Sequence, residues 1–342
     1  MSFESWPLTA LVAVFVGAAV AVWFAGTRLA RLASAISGKT GIGQAAIGIM
    51  LLGATTSLPE IAVATSATLN GAPLLSINDV LGSASINIVI LAIADVAYRR
   101  EALTSRVPTV SVVLQGVVCI IALALVALSS SMGERQLFGI GWGSFLIVGA
   151  YAICIRILTR SHSDHRWRPQ PANSEDDADD AKAEPRSLKR LLGDTAVCAA
   201  VILTAGFLLA RTGETLAEQT GLGASFFGAV ALGFATSLPE MSTVLESVRL
   251  RRYTMAISDI FGTNLFNVTI IVLVDALHGG GPVMAEAGPF ASTAALLALL
   301  MTAIYLIGML ERRDRTLLRM GYDSIAVVFT YAAGLVLLYV QR

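Results

Sequence analysis

The chain has 342 residues, of which 55% are hydrophobic and 14% are charged, and its mean hydropathy is +0.72. A soluble domain carries about 25% charged residues, so this composition excludes an ordinary soluble protein and indicates an integral membrane protein. The net charge is zero, and the three cysteines, Cys119, Cys154 and Cys198, have the spacing of neither a disulfide framework nor a metal site.

The hydrophobic residues form ten runs, each close to the roughly 20 residues that a helix needs to cross a bilayer. The first run precedes the first basic residue, Arg28, whereas a signal peptide begins with basic residues, so we predict a mature span. The sequence therefore predicts an all-α polytopic membrane protein. The predicted spans are 6–29, 43–68, 75–97, 107–129, 137–159, 190–210, 222–248, 255–277, 288–310 and 322–341.

The loops between these spans differ strongly in their content of Lys and Arg. If the N-terminus lies outside, 21 of the 24 Lys and Arg residues fall on the cytoplasmic side, and only Arg135, Arg211 and Arg342 lie outside. Because cytoplasmic loops are enriched in basic residues, we predict that both termini lie outside. We expect the membrane to be the prokaryotic plasma (inner) membrane.

Segment 161–188 is the one long polar connection, and it contains NSEDDADDAKAEP without apolar periodicity. Its acidic cluster at 174–184 is open to a calcium-sensing interpretation, but it lacks the spaced ligands and turn glycine of an EF-hand. We favour a flexible cytoplasmic linker. The linker separates a first five-helix repeat at 1–160 from a second at 189–342.

Residues 41–95 and 221–275 repeat each other at an offset of 180 residues, with 16 of 55 positions identical and no gap. The identities fall mainly on Gly, Pro and polar residues, so shared apolar composition does not explain them. Each half holds five spans, an odd number, so the second half enters the membrane from the opposite side. This predicts two inverted-topology repeats, the architecture of many secondary transporters, with a substrate site near the midplane.

The best-preserved part of the repeat is GATTSLPE at 53–60 and GFATSLPE at 233–240. Pro59 and Pro239 lack an N–H and crowd the carbonyl four residues back, so each should bend its helix and free a backbone oxygen. The matched oxygen groups beside them are Thr56, Ser57 and Glu60, and Thr236, Ser237 and Glu240. Oxygen ligands alone are typical of a hard-cation site, and two carboxylates neutralise one Ca2+. We interpret the glutamates as functional, because a buried carboxylate without a basic partner is costly in a membrane.

Spans three and eight carry DVLGSASIN and DIFGTNLFN, whose polar residues share one helical face at i, i+4 and i+8. These residues are Asp79, Ser83 and Asn87, and Asp259, Thr263 and Asn267. The asparagines can complete a cation's shell or bond neighbouring helices, and Gly82 and Gly262 allow close packing. We place Asp79 and Asp259 in first helical turns, where they either attract cations in a vestibule or stabilise the helix end.

Three further acidic residues lie near predicted span ends. We treat Asp95 and Asp275 as interfacial, and Asp95 can pair with Arg99 at i+4. Glu246 has no acidic counterpart in the first repeat and lies three residues before Arg249, so a salt bridge is expected there.

The two TSLPE copies, each followed by GS…N or GT…N, resemble the repeats of the cation/calcium exchanger superfamily, and most closely its sodium/calcium exchangers. The resemblance implies electrogenic antiport of Ca2+ against Na+, with no cofactor and with ions bound at the membrane centre. It also implies that spans one and six slide against the other eight.

The resemblance implies a role for each matching residue. Glu60 and Glu240 would be the central ligands shared by Ca2+ and Na+. Hydroxyl or carbonyl ligands would come from Thr56, Ser57, Thr236 and Ser237, and backbone carbonyl ligands from Gly53 and Gly233. Flanking Na+ ions would bind to Ser83 and Thr263. The central site would be closed by Asn87 and Asn267.

The sequence departs from the family pattern at several positions. Asn267 stands where the potassium-dependent branch has Asp, which argues against K+ dependence. Ala84 replaces a frequent Asn, and Asp79 and Asp259 stand where Asn is common. These departures bear on ion stoichiometry and selectivity.

The leading functional prediction is a Na+/Ca2+ antiporter. Its predicted partners are the two ions and the lipid bilayer, and no nucleic acid. A monomer should suffice for transport. The alternative is a proton-coupled antiporter of Ca2+ or another cation on the same fold. An intramembrane enzyme that used Ser57 or Ser237 is disfavoured, because no predicted span holds a Lys or His base. A passive channel has no need of two inverted halves.

Overall fold

A computed structural model of the chain describes residues 6–98, 103–106, 109–132, 136–137, 140–160, 186–220, 232–311, 316–317 and 320–341. In the first half, the helices are α1 Leu8–Thr40, α2 Gln44–Ile47, α3 Gly53–Thr56, α4 Leu58–Leu69, α5 Pro73–Tyr98, α6 Val110–Met132 and α7 Trp142–Arg160, with a π-helical turn at Gly48–Leu52 and a 3-10 turn at Leu103–Arg106. In the second half, they are α8 Leu188–Thr220, α9 Gly233–Thr236, α10 Leu238–Arg249, α11 Tyr253–His278, α12 Val283–Glu286, α13 Gly288–Glu311 and α14 Tyr322–Val340.

Among the described residues, eight helical stretches are long and apolar enough to cross a membrane. Two of the ten predicted spans are not among them. The apolar part of α7 is shorter, at Trp142–Ile157, and the predicted span 222–248 begins among residues 221–231, which lie outside the described residues. The predicted linker also lies outside them, apart from its last three residues.

The first span is longer than the sequence predicts. Helix α1 continues through Arg28 and Arg31 and ends at Gly41, whose φ of 72° suits the left-handed conformation that closes many helices. The two arginines do not end the helix because each has a partner on a neighbouring helix. Arg28 pairs with Asp194 at 3.2 Å, and Arg31 pairs with Glu246 at 2.7 Å.

The helix bounds recur at the same 180-residue offset as the sequence motifs. The pairs α1 and α8, α3 and α9, α4 and α10, α5 and α11, and α7 and α14 have matching bounds. The offset also relates two short antiparallel hairpins, which the all-α prediction missed because two-residue strands are too short to show an alternating pattern. The hairpins pair Gln136–Leu137 with Ile140–Gly141, and Thr316–Leu317 with Met320–Gly321.

Helices α5 and α11 form the centre of the fold. They pack against each other and against α4, α10, α6 and α13, and most of their residues are buried. Helices α1 and α8 pack side by side against this centre, where α1 contacts α10 and α8 contacts α4. Only 22% of the most apolar stretch of α1 and of α14 is buried in the protein, as expected of helices that face lipid. This arrangement encloses the two GATTSLPE-type motifs in the middle of the protein.

Candidate ion-binding site

Both motif helices are interrupted, as predicted, and the interruption lies at the serine two residues before the proline. Ser57 (φ −78°, ψ 2°) and Ser237 (φ −83°, ψ 6°) separate α3 from α4 and α9 from α10, and Pro59 and Pro239 are the second residues of α4 and α10. A proline in the first turn of a helix loses no hydrogen bond, so breaking the helix at the serine accommodates it. The first copy is further distorted by the π-helical turn at Gly48–Leu52, a feature that is frequent at functional sites.

Each break packs against a central helix of the other half, and a glycine allows this close approach. A Cβ atom on Gly53 would lie 2.8 Å from the backbone nitrogen of Thr263, and one on Gly233 would lie 3.0 Å from that of Ser83. The predicted small-residue packing is also present at Gly262, where a Cβ atom would lie 2.5 Å from the Cα of Ile49. The glycines thus bring the oxygen groups of both motifs to α5 and α11.

Glu60 and Glu240 are both fully buried, and none of their four carboxylate oxygens has a hydrogen-bond partner. The Thr236 hydroxyl lies near Glu60, and that of Thr56 lies near Glu240, but neither is placed to form a hydrogen bond with the carboxylate. The two carboxylates are close enough for their charges to interact, and no Lys, Arg or His is buried anywhere in the described part of the chain. A buried carboxylate without a partner is costly, so this site favours a bound cation.

Hydroxyl groups from the two halves meet beside these carboxylates. Thr56 Oγ1 lies 3.2 Å from Thr263 Oγ1, and Ser83 Oγ lies 3.3 Å from Thr236 Oγ1. The hydroxyls of Ser57 and Ser237 are buried without a hydrogen-bond partner. The structure therefore brings Thr56 and Thr236 of the motifs together with Thr263 and Ser83 of the central helices. In this conformation, no three His, Cys, Asp or Glu side chains of the described residues converge on one metal-binding point.

The asparagines of the central helices differ from each other. Asn87 Nδ2 donates to Asn264 Oδ1 at 2.9 Å, and Asn264 Nδ2 donates to the carbonyl of Ala84 at 3.0 Å. Asn87 Oδ1 and both polar atoms of Asn267 are buried without a partner. Asn87 therefore bonds a neighbouring helix, which is one of its two predicted roles, while its Oδ1 atom has no hydrogen-bond partner. Asn264 is not revealed by comparing the two repeats, because its counterpart in the first repeat is Ala84.

The structure corrects the predicted positions of Asp79 and Asp259. Helices α5 and α11 begin at Pro73 and Tyr253, so each aspartate lies beyond the first turn, and both are fully buried. A helix-end role and an open vestibule are therefore both wrong. Asp79 Oδ1 accepts a hydrogen bond from Thr236 Oγ1 at 3.3 Å, and Asp259 Oδ2 accepts one from Thr243 Oγ1.

Asp95 and Asp275 are also buried, and they bind backbone N–H groups of both halves. Asp95 accepts from Leu103 N at 2.7 Å and from Gly321 N at 2.7 Å. Asp275 accepts at the equivalent positions, from Val283 N at 2.8 Å and from Gly141 N at 3.1 Å, and also from Ser144 Oγ at 2.8 Å. Both aspartates are thus buried inside the protein near the ends of α5 and α11, and Arg99, the predicted partner of Asp95, lies outside the described residues.

Glu246 forms the predicted salt bridge. Its carboxylate lies 3.3 Å from Arg249 and also 2.7 Å from Arg31 on α1. Its two basic partners distinguish it from the site glutamates, so Glu246 serves as an internal comparison for them.

A family model described as sodium/calcium exchanger protein matches residues 10–160 and 192–340. The chain belongs to the sodium/calcium exchanger family. The match covers both halves and therefore both motifs, which makes the chain a transporter rather than an enzyme.

Two curated relatives match most of the chain. CaxA of Alkalimonas amylolytica, which bears the provisional name of an antiporter, is 26% identical over 315 residues, covering 90% of this chain and 93% of the relative. The inner membrane protein YrbG of Escherichia coli K12 is 27% identical over 280 residues, covering 81% of this chain and 82% of the relative.

Solved structures of an archaeal exchanger share the fold. The sodium-calcium exchanger NCX_Mj, in crystals soaked with Na+ and Sr2+, superimposes with a TM-score of 0.72 at 15% identity, covering 96% of this chain and 99% of that chain. Another structure of the sodium/calcium exchanger from Methanococcus jannaschii gives a TM-score of 0.67 at 16% identity, covering 97% and 99%. At this identity, the likeness concerns the fold.

Proposed function

We propose that the protein is a secondary active transporter that exchanges Na+ for Ca2+, with the ions bound near the membrane midplane between two inverted five-helix repeats, 1–160 and 189–342. The observation that carries this proposal is the pair of fully buried glutamates, Glu60 and Glu240, which have neither hydrogen-bond nor basic partners among the described residues. Each glutamate comes from one repeat and faces a threonine of the other. Membership of the exchanger family supports the same conclusion.

Coupling would follow from competition for these oxygens. One Ca2+ or two Na+ ions neutralise the two glutamates, whereas the empty site leaves both glutamate charges buried in a low-dielectric interior, beside the carboxyl groups of Asp79 and Asp259. Without a bound ion, the protein should therefore convert slowly between its outward-open and inward-open conformations. This couples the transport of one ion to that of the other. The ligands proposed beside the glutamates are Thr56, Ser57, Ser83, Asn87, Thr236, Ser237, Thr263 and Asn267, with the backbone oxygens of Gly53 and Gly233.

Alternating access would occur by movement of α1 and α8 against the remaining helices. These two helices pack on each other and on the motif helices, so their displacement would open the site to one side at a time. We further propose that a monomer suffices, that both termini lie outside, and that segment 161–188 is a cytoplasmic linker in the inner membrane of a prokaryote.

Proton coupling is the second candidate. The observation in its favour is that Asp79 and Asp259 are buried beside the two glutamates, because protons could neutralise the four carboxylates as cations would. This candidate predicts exchange that follows a pH gradient and is indifferent to Na+.

The test is uptake of radioactive Ca2+ into proteoliposomes that are loaded with Na+, K+ or a buffer that sets a pH gradient. We expect rapid uptake with internal Na+, little with internal K+, and none in E60Q or E240Q, because each glutamine removes a site charge. The control is E246Q, which changes the ion-paired glutamate and should retain uptake. Uptake that survives E60Q and E240Q would contradict the site, and uptake driven only by a pH gradient would support proton coupling instead.

A further inference from the structure

A cavity of about 890 Å3 lies between α1 and the turn that joins α10 to α11, at the proposed cytoplasmic side of the membrane. This volume lies in the range of small-molecule binding sites. Its wall on α1 is formed by residues of one helical face. The aromatic and basic residues that line it are Trp23, Phe24, Arg28 and Arg31 on α1, and Arg249, Arg251 and Tyr253 on the opposite wall.

Four arginines but only one carboxylate, that of Glu246, line this cavity. Arg31 Nε lies 2.7 Å from Glu246 Oε1, and Arg249 Nη1 lies 3.3 Å from Glu246 Oε2, so two guanidinium groups share the carboxylate. The Glu246 side chain is buried, whereas the side chains of Arg31 and Arg249 are mostly exposed. An anion that enters the cavity therefore meets the arginines and not the carboxylate.

Arg251 has an unusual backbone conformation at the edge of this cavity. Its φ is 58°, and it is the one residue other than glycine with a positive φ in the part of the chain that the structure describes. The equivalent residue of the first half is Gly71, whose φ is 81° and which adopts this conformation without strain. An arginine costs more than a glycine at this position, so the turn does not itself require the arginine.

The inverted repeat shows that the fold does not need the basic residues of the cavity. On the other side of the membrane, the pocket that includes the equivalents of Arg31 and Glu246, namely Arg211 and Ser66, has a volume of only about 10 Å3. There Arg211 pairs with Glu214 at 2.7 Å. The other three arginines of the cavity have no basic counterpart, since the equivalent residues are Leu208, Leu69 and Gly71.

The position of the cavity along α1 matches the level of lipid headgroups. Helix α1 begins at Leu8, and Arg28 lies about 30 Å further along the helix at its usual rise, which is the thickness of the hydrocarbon core. Trp23 and Phe24 lie about one turn before Arg28, and both are exposed. The cavity therefore has an aromatic end toward the hydrocarbon and a basic end toward the headgroups, where Trp is frequent.

We propose that this cavity binds an anionic phospholipid, with the phosphate on the guanidinium groups of Arg28, Arg249 and Arg251 and an acyl chain against Trp23 and Phe24. Arginine suits this role because its paired N–H donors match the geometry of a phosphate. Basic pockets between membrane helices on the cytoplasmic side are typical sites for anionic headgroups. A free phosphate would use only the basic end of the cavity, whereas a lipid uses both ends.

The experiment is a lipid titration of the purified full-length protein in detergent, with bound lipids counted by native mass spectrometry. The probes are phosphatidylglycerol and, as the zwitterionic comparison, phosphatidylcholine with the same acyl chains. We expect one phosphatidylglycerol to bind at least about tenfold more tightly than phosphatidylcholine, because only the former has a net negative charge for the arginines. Thermal unfolding provides a second measurement, since a lipid that binds the folded state should raise the Tm.

Two arginine variants test the cavity itself. R251G should weaken phosphatidylglycerol binding about fivefold, the effect of one basic residue near an anionic lipid, and should fold well because glycine relieves the positive φ. R249Q should weaken binding by a similar factor. The matched control is R190Q, which removes an exposed arginine of α8 that does not line the cavity and should bind the lipid as wild-type protein does.

The outcomes separate this inference from the exchange proposal. Selective binding of phosphatidylglycerol that weakens in R251G and R249Q, but not in R190Q, supports the lipid site. Equal binding of the two lipids, unchanged binding in both cavity variants, or an equal loss in R190Q overturns it. Inorganic phosphate that binds alone as tightly as the lipid would assign the cavity to a free anion instead. None of these results depends on Ca2+ uptake, whose failure would contradict only the exchange proposal.

Discussion

At the scale of single residues, Asn264 both connects the two central helices and contacts Asn87, a residue of the proposed ion site. Its side chain bonds both Asn87 and the backbone of Ala84, so it connects α11 to α5 with two hydrogen bonds. Asn87 keeps one unpartnered oxygen beside the site, and the hydrogen bond that its Nδ2 atom donates to Asn264 fixes the direction of that oxygen. Asn264 is therefore expected to affect both stability and ion affinity.

Replacing Asn264 by Ala would leave Asn87 Nδ2 buried without an acceptor and would remove the side-chain hydrogen bond to the Ala84 carbonyl. We expect the free energy of unfolding in detergent micelles to fall by about 1–3 kcal/mol, the cost of an unsatisfied buried polar group. The apparent affinity for Ca2+ should fall as well, because the amide of Asn87 can then rotate. The control is N70A at an exposed turn, where a loss within about 0.5 kcal/mol is expected. Equal stability of the two variants would refute the role of Asn264.

At the scale of elements, two glycines set the contact between the outer helices and the motif prolines. A Cβ atom on Gly206 of α8 would lie 2.4 Å from Pro59 Cγ, and one on Gly26 of α1 would lie 1.8 Å from Ser242 Oγ and 3.0 Å from the Pro239 carbonyl oxygen. The two glycines occupy equivalent positions of the two halves. If α1 and α8 move during transport, they move across the motif prolines at these points.

A methyl group at Gly206 should therefore impair exchange more than it impairs ion binding. We expect G206A to lose about 1–3 kcal/mol of unfolding free energy through overpacking and to slow Na+-driven Ca2+ uptake, with little change in Ca2+ affinity. G26A should have a smaller effect, because the Ser242 hydroxyl can rotate away and a proline ring cannot. G193A and G17A lie on the same helices, where an added Cβ atom meets nothing within 4 Å, and should behave as wild-type protein. Uptake in G206A at the wild-type rate would contradict this contact.

Much of the site was predictable because its chemistry is local in sequence. Proline beside glutamate in an apolar run predicts a broken helix with a buried charge, and Glu60 and Glu240 fulfil this prediction. Asn264 was missed because comparison of the repeats favours residues present in both copies. The burial of Asp79 was missed because it depends on where α5 begins, and the sequence locates helix ends poorly.

At the scale of the whole molecule, Asp95 and Asp275 connect the two halves reciprocally. Asp95 of the first half binds the backbone of Gly321, 226 positions away, and Asp275 of the second half binds that of Gly141, 134 positions away. Both glycines end the hairpins that precede α14 and α7. No sequence pattern reveals such bonds, because every residue except proline has a backbone N–H and only the fold brings this donor to the aspartate.

Removal of either aspartate should weaken the assembly of the two halves. D95A leaves the N–H groups of Leu103 and Gly321 without their acceptor, and each buried unsatisfied donor costs about 1–3 kcal/mol, so we expect a large fall in unfolding free energy. D275A should cost a similar amount by the equivalent argument. The two aspartates share no partner, so the double variant should lose the sum of the two effects within about 0.5 kcal/mol.

The comparison variant is D194A, which removes the partly exposed ion pairs of Asp194 with Arg28 and Arg186 and should cost about 1 kcal/mol. Thermal and denaturant unfolding in detergent micelles would measure all four variants. If D95A and D275A were no less stable than D194A, the two aspartates would not hold the halves together. Ca2+ uptake by the folded fraction should persist in D95A and D275A, because neither aspartate belongs to the proposed ion site. Stability and transport would then be separable properties of the same pair of central helices.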